Sequence, residues 1–175
     1  MNKTKTLTEG TFMLVLGIVL SFITPFQKIL PFGGSITLAS MLPICAFSIR
    51  HGIKKGLCLS LLFACFQLAV GIVKDGVLAW GLTATMLSAC IIFDYIIAYS
   101  VLGLAGIFRK KNKTGWISGI VMVLVMRFFS HFISGVFVFA TVGKIWDGID
   151  FVAENKYIYS FVYNGAYMLP ELVIT

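Results

Sequence analysis

The sequence contains little charge, and acidic residues are scarcest of all. Only 12% of its 175 residues are Asp, Glu, Lys or Arg, whereas a soluble domain is usually about a quarter charged. Hydrophobic residues make up 59% of the chain, and they form runs long enough to cross a bilayer, which takes about 20 residues per helix. The scarcity of charge excludes an ordinary soluble domain, so the sequence predicts a single all-α integral membrane domain.

Motifs of several enzyme classes are also missing. No Walker A sequence, HExxH or GxSxG occurs, so energy from ATP would have to come from another protein, and no enzymatic activity is expected. The four cysteines lie in hydrophobic runs without a CxxC pair, which indicates small buried side chains rather than disulfides or metal ligands. No signal-peptide cleavage site follows the first hydrophobic run. We expect no cofactor and no metal.

Short breaks divide the chain into six predicted spans, at about residues 9–27, 35–50, 56–73, 77–108, 115–142 and 158–175. The fourth run is too long for one perpendicular span. Its outer end, which includes Trp80, is therefore expected to form a loop or a helix across the mouth of the bundle. The last span is short, and Pro170 is expected to kink it or end its regular helix.

Lys and Arg are unevenly distributed between alternate breaks. One side carries Lys3, Lys5, Arg50, Lys54, Lys55, Arg109, Lys110, Lys111 and Lys113, and the other carries Lys28, Lys74, Lys144 and Lys156. By the positive-inside rule, both termini are predicted to be cytoplasmic. The formal net charge of +7 is thus explained by orientation in a lipid bilayer, and no nucleic-acid partner is expected.

Three ionisable residues interrupt the hydrophobic spans. Asp94 lies fifteen residues before Arg109, and His131 lies seventeen residues after Thr114, which places them about 22 and 25 Å from the same boundary. Arg127 lies one turn from His131 on the same face. Such residues are costly in a membrane unless they face protein or water. Two interpretations follow: a structural ion pair between Asp94 and Arg127, or an outward-facing site for a cationic or amphoteric small molecule.

The last span adds polar and aromatic groups at the same height. Tyr159, Tyr163 and Tyr167 form a stripe at i, i+4 and i+8. An interfacial aromatic belt would explain Tyr163 and Tyr167 without a ligand. It does not explain Asn164, whose amide both donates and accepts hydrogen bonds.

Aromatic rings predicted at this height would hold a flat cation by stacking and cation–π attraction. They are Tyr95, Phe128, Phe129 and Phe139, with Trp80 or Trp146 as further candidates. In the first span, Gly17 and Ser21 have the small-xxx-small spacing that lets helices approach closely.

Seven segments, in order along nearly the whole chain, carry a resemblance to a known family. They are Met41–Ile44, Arg50–Gly56, Asp94–Tyr95, Val101–Arg109, Arg127–Gly135, Tyr159–Gly165 and Tyr167–Glu171. The chain resembles the thiamine-specific S component of energy-coupling-factor (ECF) transporters. The basic-aromatic-His-Phe-Ile-x-Gly and Tyr-Ser-x-x-x-Asn-Gly segments are typical of the thiamine type.

The resemblance implies roles for particular residues. The pocket carboxylate of the family falls on Asp94 and the tyrosine after it on Tyr95, while the basic residue falls on Arg127. The family's remaining polar pocket residues correspond to His131, Tyr159 and Asn164.

The sequence departs from the family pattern at three places. Phe139 stands where the family has a stacking tryptophan, and Gly34 replaces a second one. Trp80 or Trp146 is then expected to compensate. The first helix docks the coupling subunit in the family, and Thr11 and Val15 occupy positions where alanines are expected.

By resemblance, the chain would capture thiamine and associate with a transmembrane coupling protein and two cytoplasmic ATPases in the bacterial cytoplasmic membrane. Thr11, Val15, Gly17 and Ser21 are the predicted docking residues. One alternative is an S component for another vitamin, such as riboflavin. Another is an intramembrane enzyme with Asp94 and His131 as an acid–base pair. A channel is disfavoured because six short spans leave little room for a pore.

Overall fold

The structure, a computed structural model, describes residues 3–24, 36–146 and 151–175. These residues form six helices and one two-stranded antiparallel ladder. The helices are α1 (Lys3–Phe22), α2 (Leu42–His51), α3 (Ile53–Asp75), α4 (Ala84–Phe108), α5 (Lys113–Phe139) and α6 (Lys156–Ile174), and the strands are β1 (Gly143–Lys144) and β2 (Val152–Ala153). The predicted all-α membrane fold is confirmed, and the short ladder between α5 and α6 was not predicted.

Four of these helices, α1, α3, α4 and α5, are long and apolar enough to cross a membrane. Helix α2 has ten residues and is therefore only about 15 Å long, shorter than the predicted span of residues 35–50. The number of crossings and the side on which the termini lie stay predictions. Helix α6 continues through Pro170 to Ile174, so the proline does not end it.

The region before α4 is not one continuous helix. Val77–Ala79 form a single 3₁₀ turn, and α4 begins only at Ala84, where the Thr83 side chain accepts a hydrogen bond from the Met86 N–H. Of the two expectations for the segment that contains Trp80, a loop or a helix across the mouth of the bundle, this geometry fits the loop, because Trp80 follows the short turn outside any regular helix.

Small residues bring α2, α3 and α4 into close contact at the basic end of the bundle. A Cβ built on Gly103 would lie 2.5 Å from the backbone nitrogen of Leu57. Ser48 donates a hydrogen bond to the Gly103 carbonyl and accepts one from the Gly106 N–H at 3.1 Å. Glycine at these contacts lets the backbones approach, as is usual between membrane helices.

Three helices carry a π-helical stretch at the opposite end of the bundle. These stretches are Gly71–Asp75 in α3, Ile91–Ile97 in α4 and Gly135–Phe139 at the end of α5. A π turn rotates the side chains that follow it and is frequent at functional sites. All three stretches contribute residues to the same cavity.

Candidate functional site

A cavity of about 590 Å³ lies between α1 and α3–α6. Eight residues predicted from the sequence to form the ligand site line it: Trp80, Asp94, Tyr95, Arg127, His131, Phe139, Tyr159 and Asn164. The fold therefore brings together side chains that are up to 84 residues apart in the sequence, from Trp80 to Asn164. The volume of the cavity falls within the range of about 300–1,000 Å³ that is usual for small-molecule sites.

Asp94 lies at the centre of a short hydrogen-bond chain. Its Oδ1 is 2.8 Å from His131 Nδ1, and its Oδ2 accepts a hydrogen bond from Ser134 Oγ. An ionised carboxylate only accepts, so Nδ1 of His131 carries the proton. Ser134 was not predicted from the sequence, although it lies three residues after His131, on the same face of α5.

The other ring nitrogen of His131, Nε2, is buried and has no hydrogen-bond partner among the described residues. With Nδ1 protonated, Nε2 accepts a hydrogen bond in the neutral ring and donates one in the imidazolium. A buried polar atom without a partner is costly. Because His131 lines the cavity, a ligand with a matching group would satisfy it.

Arg127 does not pair with Asp94, so the structural ion pair considered above is wrong. Its Nη1 lies 2.5 Å from Glu171 Oε2, and its guanidinium carbon lies 4.8 Å from the centre of the Tyr99 ring. The Tyr99 hydroxyl is 3.3 Å from Nη2. Helix α5 places Arg127 about one turn closer to the basic end than His131, and there it meets α6 rather than Asp94.

Glu171 is held on its other side by Thr37, the residue just before the turn that leads into α2. Its Oε1 accepts hydrogen bonds from the Thr37 N–H at 3.1 Å and from the Thr37 hydroxyl at 2.8 Å. No role for Glu171 was predicted from the sequence, although its position seven residues after Asn164 put both on one face of α6. Since Glu171 neutralises Arg127, the carboxylate of Asp94 is left with His131, Ser134 and the Cys90 thiol as its partners among the described residues.

Asn164 joins α6 to α5 through its amide. Nδ2 donates to the Ser160 carbonyl at 2.9 Å and lies 3.4 Å from the His131 carbonyl, while Oδ1 accepts from the Tyr167 hydroxyl at 2.8 Å. A carbonyl oxygen has two lone pairs, so Oδ1 can accept a second hydrogen bond besides the one from Tyr167. Asn164 thus fixes the wall of the site as well as lining it.

The tyrosine stripe of α6 faces the cavity. The rings of Tyr159 and Tyr163 stack at 6.0 Å with an angle of 11°, and the rings of Tyr163 and Tyr167 meet edge to face at 5.9 Å. Tyr167 is buried and bonded to Asn164. An interfacial belt therefore does not account for Tyr167.

An aromatic pair closes another part of the wall. The rings of Trp80 and Phe139 lie 5.7 Å apart at 59°, and Trp80 Nε1 donates to the Asp75 carbonyl at 3.0 Å. Trp80 is thus the tryptophan that lies beside Phe139, whereas Trp146 packs in a hydrophobic cluster around Ile145.

Two aromatic residues expected at this height do not line the cavity within the described chain. Phe129 is exposed on the outer surface, and Phe128 packs against Phe129 and Phe161. Both expectations were wrong. Phe128 and Phe129 lie one and two residues after Arg127, so they point away from the face of α5 that Arg127 turns towards the cavity. Gly34 lies outside the described residues.

The four predicted docking residues of α1 divide between two faces. Thr11 and Val15 are exposed. Gly17 and Ser21 are buried, and a Cβ on Gly17 would lie 3.0 Å from the Ser40 carbonyl. Gly17 and Ser21 were predicted to dock the coupling subunit, and this assignment is corrected. They are buried within the protein, where their small size lets other residues of the same chain pack closely against α1.

Comparison with known proteins agrees with this architecture. Residues 7–175 match the family model described as "Thiamine transporter protein (Thia_YuaJ)". The thiamine transporter ThiT of Bacillus subtilis (strain 168) is 28% identical over 189 aligned positions, which cover 99% of this chain and 89% of that protein. The solved structure of ThiT from Listeria monocytogenes superposes with a TM-score of 0.71 at 22% identity, covering 98% of this chain and 89% of that one, which shows a shared fold. Since the family model spans nearly the whole sequence, the chain belongs to the thiamine transporter protein family.

Proposed function

We propose that this protein is the thiamine-binding S component of an ECF-type transporter and that it captures its substrate in the cavity around Asp94. The observation that carries the proposal is the division of charges in that cavity. Arg127 is neutralised by Glu171, and Asp94 faces the cavity with a histidine and a serine as partners. An anionic group left in this way attracts a cation.

Thiamine has the groups that this cavity would satisfy. Its thiazolium ring is permanently cationic, and its aminopyrimidine both donates and accepts hydrogen bonds. Asp94 would neutralise the cation or bind the amino group. His131 Nε2 and the remaining lone pair of Asn164 Oδ1 are polar positions that would pair with the pyrimidine edge. A site built from such buried polar groups rejects analogues that leave them unpaired.

The aromatic walls fit the flat rings of the same ligand. Trp80 and Phe139 form one wall, and Tyr159 and Tyr163 form part of another. Stacking and cation–π contact with such rings are worth roughly 0.5–2 kcal/mol each. The sequence departure at Phe139 is offset by its neighbour Trp80, which supplies a larger aromatic face at the same place.

The protein would bind thiamine from the outer side of the bacterial cytoplasmic membrane, with both termini inside. It would rely on a transmembrane coupling subunit and two cytoplasmic ATPases for energy, as its resemblance to S components implies. The exposed face of α1, which includes Thr11 and Val15, is the proposed contact with the coupling subunit. Binding and release, without covalent chemistry, would complete its part of the transport cycle.

Calorimetry on protein purified in detergent tests the proposal. We expect one thiamine per chain, bound without ATP or sodium, and no heat with riboflavin at the same concentration. Mass spectrometry of the ligand recovered afterwards should return thiamine unchanged, which separates binding from an acid–base reaction at Asp94 and His131. Heat with riboflavin but not with thiamine would instead favour an S component for that vitamin.

A further inference from the structure

A second cavity of about 690 Å³ opens at the basic end of the bundle, between α2, α4 and α5. It shares no lining residue with the cavity around Asp94 among the described residues. Along α5, Ile120 is the last residue that lines it, and Arg127, seven residues or about 10 Å further on, is the first that lines the cavity around Asp94. We call this second cavity the basic groove.

Three cationic side chains line the basic groove: Arg50, Arg109 and Lys113. Arg50 Nη2 lies 3.2 Å from Glu9 Oε1, yet 61% of its side chain remains exposed. Arg109 and Lys113 have no ion pair with an acidic residue in the part of the chain that the structure describes. The charge of the groove is therefore largely uncompensated.

The position of Arg109 is fixed by the fold. It lies against Gly52, where a Cβ in place of the glycine hydrogen would come within 2.8 Å of Arg109 Nη1. Its carbonyl accepts a hydrogen bond from Trp116 Nε1 at 3.3 Å. Helix α5 begins at Lys113, and the positive end of its dipole adds to the attraction for an anion.

The other half of the groove is apolar. Ile49, Ile117 and Ile120 line it together with Trp116. Ile117 is 63% exposed and Trp116 is 45% exposed, so both face the surroundings of the bundle rather than its core. Tryptophan is enriched where membrane helices meet the headgroup region. A free phosphate would contact only the cationic half and would leave this wall unused.

We propose that the basic groove is a binding site for an anionic phospholipid. The headgroup phosphate would lie among Arg50, Arg109 and Lys113, and an acyl chain would follow Ile117 and Ile120 along α5. Basic pockets between membrane helices on the cytoplasmic side bind anionic headgroups by the same combination of charge and apolar contact. This site is independent of the proposed thiamine site, and either can fail without the other.

Native mass spectrometry of the detergent-purified protein tests this site, with phosphatidylglycerol and phosphatidylcholine of identical chains as probes. We expect phosphatidylglycerol to bind at least tenfold more tightly. The double variant Arg50→Gln/Lys113→Gln should reduce that affinity about tenfold or more. Lys54→Gln/Lys110→Gln removes the same charge at the basic end of the bundle but outside the groove, and it should change the affinity less than twofold.

A second readout examines the apolar half. Phosphatidylglycerol brominated on its acyl chains should quench tryptophan fluorescence in the wild type and markedly less in Trp116→Phe. The melting temperature and thiamine affinity of each variant identify misfolding, and the single variant Lys113→Gln replaces the double variant if the latter does not fold. Equal binding of the two lipids, equal loss in both double variants, or displacement of the lipid by millimolar inorganic phosphate would each overturn the proposal.

Discussion

Arg127 on α5 and Glu171 on α6 form an ion pair that is almost completely buried, with Nη1 2.5 Å from Oε2 and side-chain exposures of 5% and 3%. Thr37 and Tyr99 supply further hydrogen bonds to the pair. The pair joins α5, α6 and the segment before α2 in the wall of the ligand cavity, which both residues line. Because Glu171 neutralises the positive charge of Arg127, that charge does not neutralise the carboxylate of Asp94.

Glu171→Gln should destabilise the protein more than it affects thiamine recognition. The variant leaves the guanidinium of Arg127 buried without a counter-charge, and breaking a buried pair in this way typically costs about 3–5 kcal/mol. Thermal unfolding in detergent without ligand measures the loss. Glu154→Gln is the control because Glu154 is exposed, and it should leave the melting temperature unchanged.

Replacing both partners distinguishes an ion pair from a packing effect. Arg127→Met/Glu171→Leu removes both charges and should recover most of the stability lost in Glu171→Gln, because no unpaired charge stays buried. A double variant that is less stable than Glu171→Gln would show that the hydrogen bonds to Thr37 and Tyr99, rather than the charge balance, hold these helices together.

Asp94→Asn should weaken thiamine binding while the protein stays folded. Asn keeps an oxygen that can accept from His131 or Ser134, so the hydrogen-bond chain is partly preserved, but the negative charge is lost. A desolvated charge-assisted contact is worth about 2–4 kcal/mol, or roughly thirty- to a thousand-fold in dissociation constant. Calorimetry gives the affinity, and the melting temperature without ligand gives the stability. A variant that melts earlier yet binds thiamine normally would remove Asp94 from the ligand site.

The meeting of Asp94 and His131 was predictable from the sequence because a helix rises regularly. Counting from the basic boundary placed both residues in the same half of two antiparallel spans, and the structure brings their side chains within 2.8 Å. Hydrophobic runs also predicted the all-helical membrane fold, since each run had to bury its backbone polar groups within a helix.

The partner of Arg127 was not predictable in the same way. Which neighbour a side chain meets depends on the rotation of each helix, and the π-helical stretch Ile91–Ile97 changes that rotation within α4, where Asp94 lies. Glu171 lies on α6, the last helix of the chain, and it reaches Arg127 only because of the way α6 packs against the other helices. The apolar pattern carries no information on either feature.

Phe139→Ala should weaken thiamine binding by about 1–3 kcal/mol because stacking and buried apolar area are lost. Phe139→Trp should preserve or strengthen binding, since the larger ring offers more stacking surface. Phe137→Ala is a matched control two residues away, because Phe137 is 69% exposed and lies outside the cavity. Calorimetry on the three variants measures the effect, and an unchanged affinity in Phe139→Ala would exclude that ring from the site.

Thiamine should quench the fluorescence of this protein through Trp80. The chain has three tryptophans, and Trp80 is the one that lines the cavity within the described residues, with its ring 5.7 Å from that of Phe139. A cationic thiazolium stacked on this pair would draw electron density from the excited indole. A fluorescence titration of the wild type should therefore show saturable quenching.

Single tryptophan variants assign the signal. Trp80→Phe should abolish most of the quenching and weaken binding only slightly, because phenylalanine keeps part of the stacking surface, whereas Trp80→Ala should weaken it by about 1–3 kcal/mol. Trp146→Phe should retain the quenching, since Trp146 packs against the cluster around Ile145. Loss of the signal in Trp146→Phe but not in Trp80→Phe would mean that the ligand lies nearer to Trp146 than to the aromatic pair, and the placement of thiamine beside Phe139 would then be wrong.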